Sequence, residues 1–317
     1  MSERAAIPAT LAYTMVFIGV LGHGSSEFFA VLSGVNGAEV SVWRYVLGAF
    51  GLLVIALIFS GVGKLMAPMR EMGIRIVLLS FFGVSLPYLA FHWALDFASI
   101  VQVGTLVTTI PIFVGLCNLV INKQPISTPK IITGAAAVAG VALLLTDGYL
   151  AKLAGDADSL FGIFLSIACA FGGSAYAVLA KPHIGKYGAL PFTTVSMTLG
   201  AIGLWIVVGI AWGNWVNPFT LFDKPAIAAW SLLILGFWNT TITQILWFGG
   251  LAAVPDITRG SYLFFLKPVI TAGLALLVLS QPISFIQALA IIIICGAVLV
   301  EMAWPWIASR FSADAAQ

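Results

Sequence analysis

Ten apolar runs, each long enough to cross a bilayer and joined by short connections, leave this chain few folds to choose from. They cover about 9–32, 38–60, 73–94, 98–121, 129–147, 159–180, 189–212, 226–249, 257–279 and 283–306, ending in glycines, prolines or small charged clusters. A spanning helix needs roughly 20 apolar residues. In lipid a segment must satisfy its own backbone hydrogen bonds, which leaves helices or closed barrels. Barrel strands are short and alternating, whereas these runs are long and continuous. Charge usage agrees, because 8% of the residues are charged and 61% hydrophobic, against roughly 25% charged in a globular domain. The fold class is all-α integral membrane, and no connection could hold a soluble domain. The first run is too long for a signal-peptide core and lacks a clear small-residue cleavage site, so it is read as a mature helix. Cys117, Cys169 and Cys295 lie inside apolar runs without ligand spacing and are read as small hydrophobes.

A duplication narrows the fold further. Residues 97–127 and 254–284 align without a gap at an offset of 157, matching Ile100 with Ile257, Leu106 with Leu263, Pro111 with Pro268 and Leu119 with Leu276. The tetrapeptide Gln124-Pro-Ile-Ser127 recurs as Gln281-Pro-Ile-Ser284. That period covers five spans, and an odd number of crossings reverses the second copy. The expected architecture is ten transmembrane helices in two inverted five-helix repeats, 8–148 and 158–306, followed by a tail, 307–317. With the N-terminus cytoplasmic, the inner segments collect Arg4, Lys64, Arg70, Arg75, Lys123, Lys130, Lys181, Lys186, Arg259 and Arg310, against only Lys152 and Lys224 outside. This positive-inside bias puts both termini, and the tail, in the cytoplasm. Trp212 and Trp215 then mark an outer boundary, and Trp304 and Trp306 an inner one. Inverted repeats are the usual build of secondary transporters, with the substrate site near the midplane where the copies meet.

A span that faces lipid all round carries no polar stripe, so polar residues at i, i+3, i+4 spacing mark helices that face something else. The third span has Ser85, Tyr88 and His92 on one face, beside Pro87; after a one-residue slip Tyr88 aligns with Gln244 and His92 with Phe248. These groups can either bond a neighbouring helix or line a cavity. The fourth span has Gln102, Thr105, Thr108 and Thr109 ahead of Pro111. Threonines can return their hydroxyls to the backbone or face a pathway. The eighth span is the most polar, with Trp238, Asn239, Thr240, Thr241, Thr243 and Gln244 within seven residues. The ninth contains Thr258 to Pro268, TRGSYLFFLKP, with Ser261, Tyr262, Phe265 and Lys267. Lys267 lies about 15 Å into its span, too deep to snorkel easily, and is expected in the pathway; a buried pair or backbone carbonyls are the alternative. Its twin in the first repeat is Ile110, so the lysine belongs to one copy, whereas the proline after it is shared. His23, Ser26 and Glu27 share a face of span one, and Gly172, Gly173, Ser174 and Tyr176 make span six small and partly polar. Glu27 and Arg44 fall at similar depth, which admits a structural ion pair between them or transport chemistry.

No enzyme signature is present. The chain has no paired acidic motif for diphosphate-bound metal, no His-Glu-x-x-His and no Gly-Lys-Ser/Thr phosphate loop. No metal or cofactor is expected, and basic residues too few and dispersed for a footprint exclude nucleic acid.

The five-plus-five inverted spans, Trp43-Arg44-Tyr45 at the start of span two, Ala94-Leu95 leading into span four, the mid-span Pro111 and Pro268 and the two Gln-Pro-Ile-Ser turns resemble the drug/metabolite transporter superfamily, specifically its EamA-type ten-helix exporters. The resemblance covers about 10–305 and is closest to bacterial amino-acid exporters such as the YddG-type aromatic amino-acid exporters. It implies a bacterial inner-membrane protein with a central pathway lined by spans three, four, eight and nine, with one and six contributing. Many relatives carry a glutamate where this chain has Gln124 and Gln281, so no role of that acid transfers. The expected function is export of small metabolites, foremost amino acids with aromatic or apolar side chains, by alternating access. The expected pathway residues are Tyr88, His92, Thr105, Thr108, Thr109, Tyr176, Trp238, Thr241, Gln244, Tyr262, Phe265 and Lys267. His23 and Glu27 are the coupling candidates, and Pro87, Pro111 and Pro268 the hinges. Partners are a small-molecule substrate and the bilayer, with the chain a monomer or weak homo-oligomer. The rival readings are a facilitative uniporter, an exporter of drugs or other metabolites, a membrane enzyme on lipid-linked substrates, and a non-transporting assembly or sensor protein.

Overall fold

A computed structural model describes residues 7–98, 100–149, 157–279 and 283–314, all helix, turn or loop. Arg4, Lys152 and Gln281 lie outside these residues, as does the end of the expected tail. Nine helices among the described residues are long and apolar enough to cross a membrane. Span one is Ala9–Leu32, span two Gly37–Phe59, span three Ile74–Ala94, span four Gln102–Asn122 and span five Thr128–Thr146. Span six is Ala157–Tyr187, span seven Ala189–Trp212, span eight Ala226–Ala253 and span ten Phe285–Asp314. The ninth is not one helix. It comprises Ile257–Ser261, a 3-10 turn Tyr262–Leu266, and Lys267–Leu279.

Two elements differ from expectation. The connection after span two folds as a helix, Gly61–Met72, with Leu65 and Pro68 buried and Val62 and Met66 exposed. Span ten continues past the expected boundary at 306 to Asp314.

The packing reproduces the duplication. Span one packs on eight and span three on six, while two packs on seven and five on ten. Exchanging each span for the one five later maps these pairs onto themselves, as a twofold relation between the repeats requires. Side-chain contacts sort the connections onto two alternating ends. At one end Lys186 and Tyr187 donate to Glu71, Lys130 pairs with Asp256, and Arg259 Nε donates to buried Glu301 at 3.0 Å. At the other, Lys224 and Asn214 meet Glu39, Asp96 accepts from the Gly37 amide, and Ser284 donates to Asp147. At the first end, burial pushes the Asp256 carboxyl up, but Lys130 and the Arg259 amide outweigh it and hold the group below its ordinary value.

Glycines let spans one, two and eight approach backbone to backbone. A Cβ on Gly22 would lie 1.7 Å from the Thr243 hydroxyl, and one on Gly236 would lie 2.4 Å from the Leu47 Cβ. Such contact gains dispersion and hydrogen bonding where lipid offers no hydrophobic drive between helices.

Candidate functional site

Each repeat interrupts two of its helices near the centre. Span three contains a π-turn at Phe81–Ser85 and span eight contains one at Phe237–Ile242, at matching places in the duplication. A π-turn frees backbone carbonyls from their usual partners, and the threonine run of span eight satisfies them. Thr240, Thr241 and Thr243 donate to the carbonyls of Leu235, Gly236 and Trp238, five residues back. Span four turns at Thr108 and Thr109, whose hydroxyls donate to Gly104 and Leu106, and its helix restarts at Ile110 with Pro111 in the first turn. Span nine restarts the same way at Lys267-Pro268, and Pro87 opens the segment after the π-turn of span three. Proline suits these positions, because a first-turn residue has no intrahelical use for an N–H.

The interrupted helices converge on a cavity of about 50 Å³. Its wall takes His23 and Ser26 from span one, Arg44 from two, Pro87, Tyr88 and Phe91 from three, and Val107, Ile110 and Val114 from four. Cys169, Gly173 and Ala177 of span six, Trp247 and Phe248 of eight, and Phe264 and Lys267 of nine complete it. Both repeats contribute, and spans five, seven and ten do not. The volume suits three or four waters at the usual minimum, far below the roughly 300–1,000 Å³ of a small-molecule pocket. The space between the helices is thus too small for such a ligand.

Charge is placed deliberately here. Lys267, in the wall, donates to Glu27 of span one, which also accepts from Ser26 at 3.2 Å. Its ammonium sits 5.4 Å from the centre of the Phe91 ring and 5.7 Å from that of Phe264. A Glu27–Arg44 ion pair, one of the two readings their shared depth admits, is therefore not formed, because Lys267 reaches the carboxylate from the facing helix. Arg44 instead donates from Nε to the Thr240 hydroxyl at 3.1 Å and from a terminal nitrogen to the Asn239 carbonyl at 2.9 Å. His92 stands behind it, with Nε2 at 3.5 Å and Nδ1 against Ser41 and the Tyr88 carbonyl.

Of the residues expected in a pathway, Tyr88 and Lys267 line the cavity, together with the coupling candidate His23 and the hinge Pro87. Gln244 is one layer out, donating to the Tyr45 and Tyr88 hydroxyls at 3.3 and 3.0 Å. Thr241 bonds the Gly48 carbonyl of span two, and Tyr176 donates to Ser196 of span seven. Tyr262 donates to the Lys130 carbonyl at the end that carries Asp256, beside Phe265. Trp238, Thr105, Thr108, Thr109, Pro111 and Pro268 also lie outside the cavity wall. The charged and aromatic wall residues not expected are Arg44, Phe91, Trp247, Phe248 and Phe264. Arg44 carries a sequence signal, a charge inside an apolar span, but the nearby Glu27 supplied a partner on paper. The aromatic residues give no such signal, since apolar rings on a membrane helix read equally as lipid-facing.

Comparison with known proteins decides the family. The model of the EamA-like transporter family matches residues 10–146 and again 160–302, one copy per repeat. The chain belongs to the EamA-like transporter family. This EamA-like chain is 23% identical over 292 residues to an uncharacterized transporter of Clostridium kluyveri, covering 90% of this chain and 92% of that one. It is 27% identical over 292 residues to an uncharacterized transporter of Archaeoglobus fulgidus, covering 91% and 95%. A crystal structure of another protein superposes with a TM-score of 0.78 at 16% identity, covering 95% of this chain and 99% of that one, a likeness of fold. The protein is thus a multi-pass membrane transporter, of a family whose matched members are named as transporters.

Proposed function

We propose that this EamA-like transporter moves small amphipathic metabolites, foremost amino acids with aromatic or apolar side chains, outward across a bacterial inner membrane by alternating access. The observation that carries this reading is the cavity at the junction of the repeats, whose wall combines aromatic rings with the polar groups His23, Ser26, Arg44 and Lys267. Rings suit an apolar side chain and the polar groups an amino-acid head. Because the cavity is too small for such a ligand as it stands, the repeats must part to admit one. The interruptions at Pro87, Pro111 and Pro268 are where they hinge. Both termini lie in the cytoplasm, and the chain works as a monomer or weak homo-oligomer.

Facilitated movement down a gradient is favoured over proton antiport by one feature. No acid lines the cavity among the described residues, and Glu27, behind the wall, is held by Lys267. Reconstituted protein assayed with radiolabelled amino acids, with and without an imposed pH gradient, tests both parts. Protein-dependent flux of phenylalanine or leucine that is indifferent to the gradient is expected. Flux that collapses with the gradient would sink the uniport, and flux of none of the amino acids would sink the substrate class.

A further inference from the structure

Two cations reach the cavity, and only one of them has an anion. Lys267 is neutralised by Glu27. Arg44 is 1% exposed, and its hydrogen-bond partners, the Thr240 hydroxyl, the Asn239 carbonyl and the His92 ring, include no carboxylate. No carboxylate lies within ion-pair distance of it among the described residues. A guanidinium carries five N–H donors in a fixed fork, and these three contacts leave two without a partner. One acid against two bases leaves a net positive charge in a medium where a lone charge is costly.

A second polar group is unsatisfied at the same place. His23 is 7% exposed, and its Nε2 is buried without a hydrogen-bond partner. The ring is fixed in that position by edge contacts with Trp247 at 5.5 Å and Phe264 at 5.4 Å. Arg44 and His23 come from different helices and line the same cavity, whose remaining wall includes the rings of Tyr88, Phe91, Trp247, Phe248 and Phe264.

We propose that Arg44 is the anion receptor of the transport site. It takes one carboxylate of the substrate on the free edge of its fork, with His23 Nε2 as the neighbouring polar contact and Phe91, Trp247, Phe248 and Phe264 around the apolar remainder. The class recognised is a monocarboxylate bearing an aromatic or branched apolar group, because one uncompensated charge matches one carboxylate and the rings match the rest. Lys267, expected in the pathway from sequence, is instead paired with Glu27 and joins spans one and nine. The proposal rests on the transport site being this cavity, as in the function proposed above.

Matched acids and amides test it on the full chain in nanodiscs. The probes are phenylacetate against phenylacetamide and L-phenylalanine against its amide, read by calorimetry. Wild-type protein should bind each acid about tenfold or more tightly than its amide, the discrimination of a charge-assisted hydrogen bond. Arg44→Gln should bind acid and amide alike, and Arg44→Lys should recover part of the preference. Equal binding of acid and amide by the wild type, or binding of neither pair, overturns the proposal without needing any variant to fold. So does a preference kept in Arg44→Gln. Acid preference without amino-acid flux would contradict the substrate class alone, whereas amino-acid flux without acid preference would contradict the role of Arg44 alone.

Discussion

At the scale of single residues, the Glu27–Lys267 pair is the part of the site most sensitive to change. Removing one partner of a buried pair strands the other charge, at a cost of about 3–5 kcal/mol, whereas replacing both with neutral groups of similar size is often tolerated. Glu27→Gln and Lys267→Met should therefore each lower unfolding stability by about 3 kcal/mol, and the double variant should recover most of that loss. Thermal or denaturant unfolding in detergent measures this, and additive losses would show that the two residues do not depend on each other. The same reasoning separates stability from transport at Lys267, because loss of flux in Lys267→Ala alone reports the stranded Glu27 as much as any substrate contact.

At the scale of elements, the helix irregularities are built by the sequence and repeated in it. Span eight can approach span one because Gly22 faces Thr243. Gly22→Ala puts its Cβ 1.7 Å from that hydroxyl, and forcing the helices apart should cost about 1–3 kcal/mol, measured as a lower melting temperature; an unchanged one would mean the crossing is loose. The spans, the duplication and the prolines after each break in spans four and nine are legible in the sequence, because period and apolar length follow from backbone chemistry in lipid. The roles of the polar residues are less so. A threonine run such as Thr240, Thr241 and Thr243 looks the same whether it lines a path or closes a π-turn, and the difference depends on a backbone shift that composition does not encode. Arg44 and Glu27 share a depth, yet which cation takes the acid is settled by a third helix, which carries Lys267.

At the scale of the whole molecule, two repeats of one family model meet around the cavity lined by His23, Arg44 and Lys267, and both ends are tied by polar contacts. The proposed orientation, argued from the excess of basic residues, places the end bearing Glu71, Lys186 and Asp256 in the cytoplasm. A single cysteine replacing Lys64 should be labelled by a membrane-impermeant maleimide only from the cytoplasmic side, and one replacing Lys224 only from outside; the reverse pattern would invert the protein. The central claim is that substrate passes through the cavity between the repeats. Gly173 lines that cavity, and a Cβ added there meets nothing within 4 Å, so a small branched side chain at this position enters the space without clashing at its first atom. The most direct test is counterflow of L-phenylalanine in proteoliposomes carrying wild-type or Gly173→Val protein, with melting temperatures measured alongside. The expected result is a loss of about tenfold or more in flux at unchanged melting temperature; wild-type flux through the plugged variant would contradict the claim.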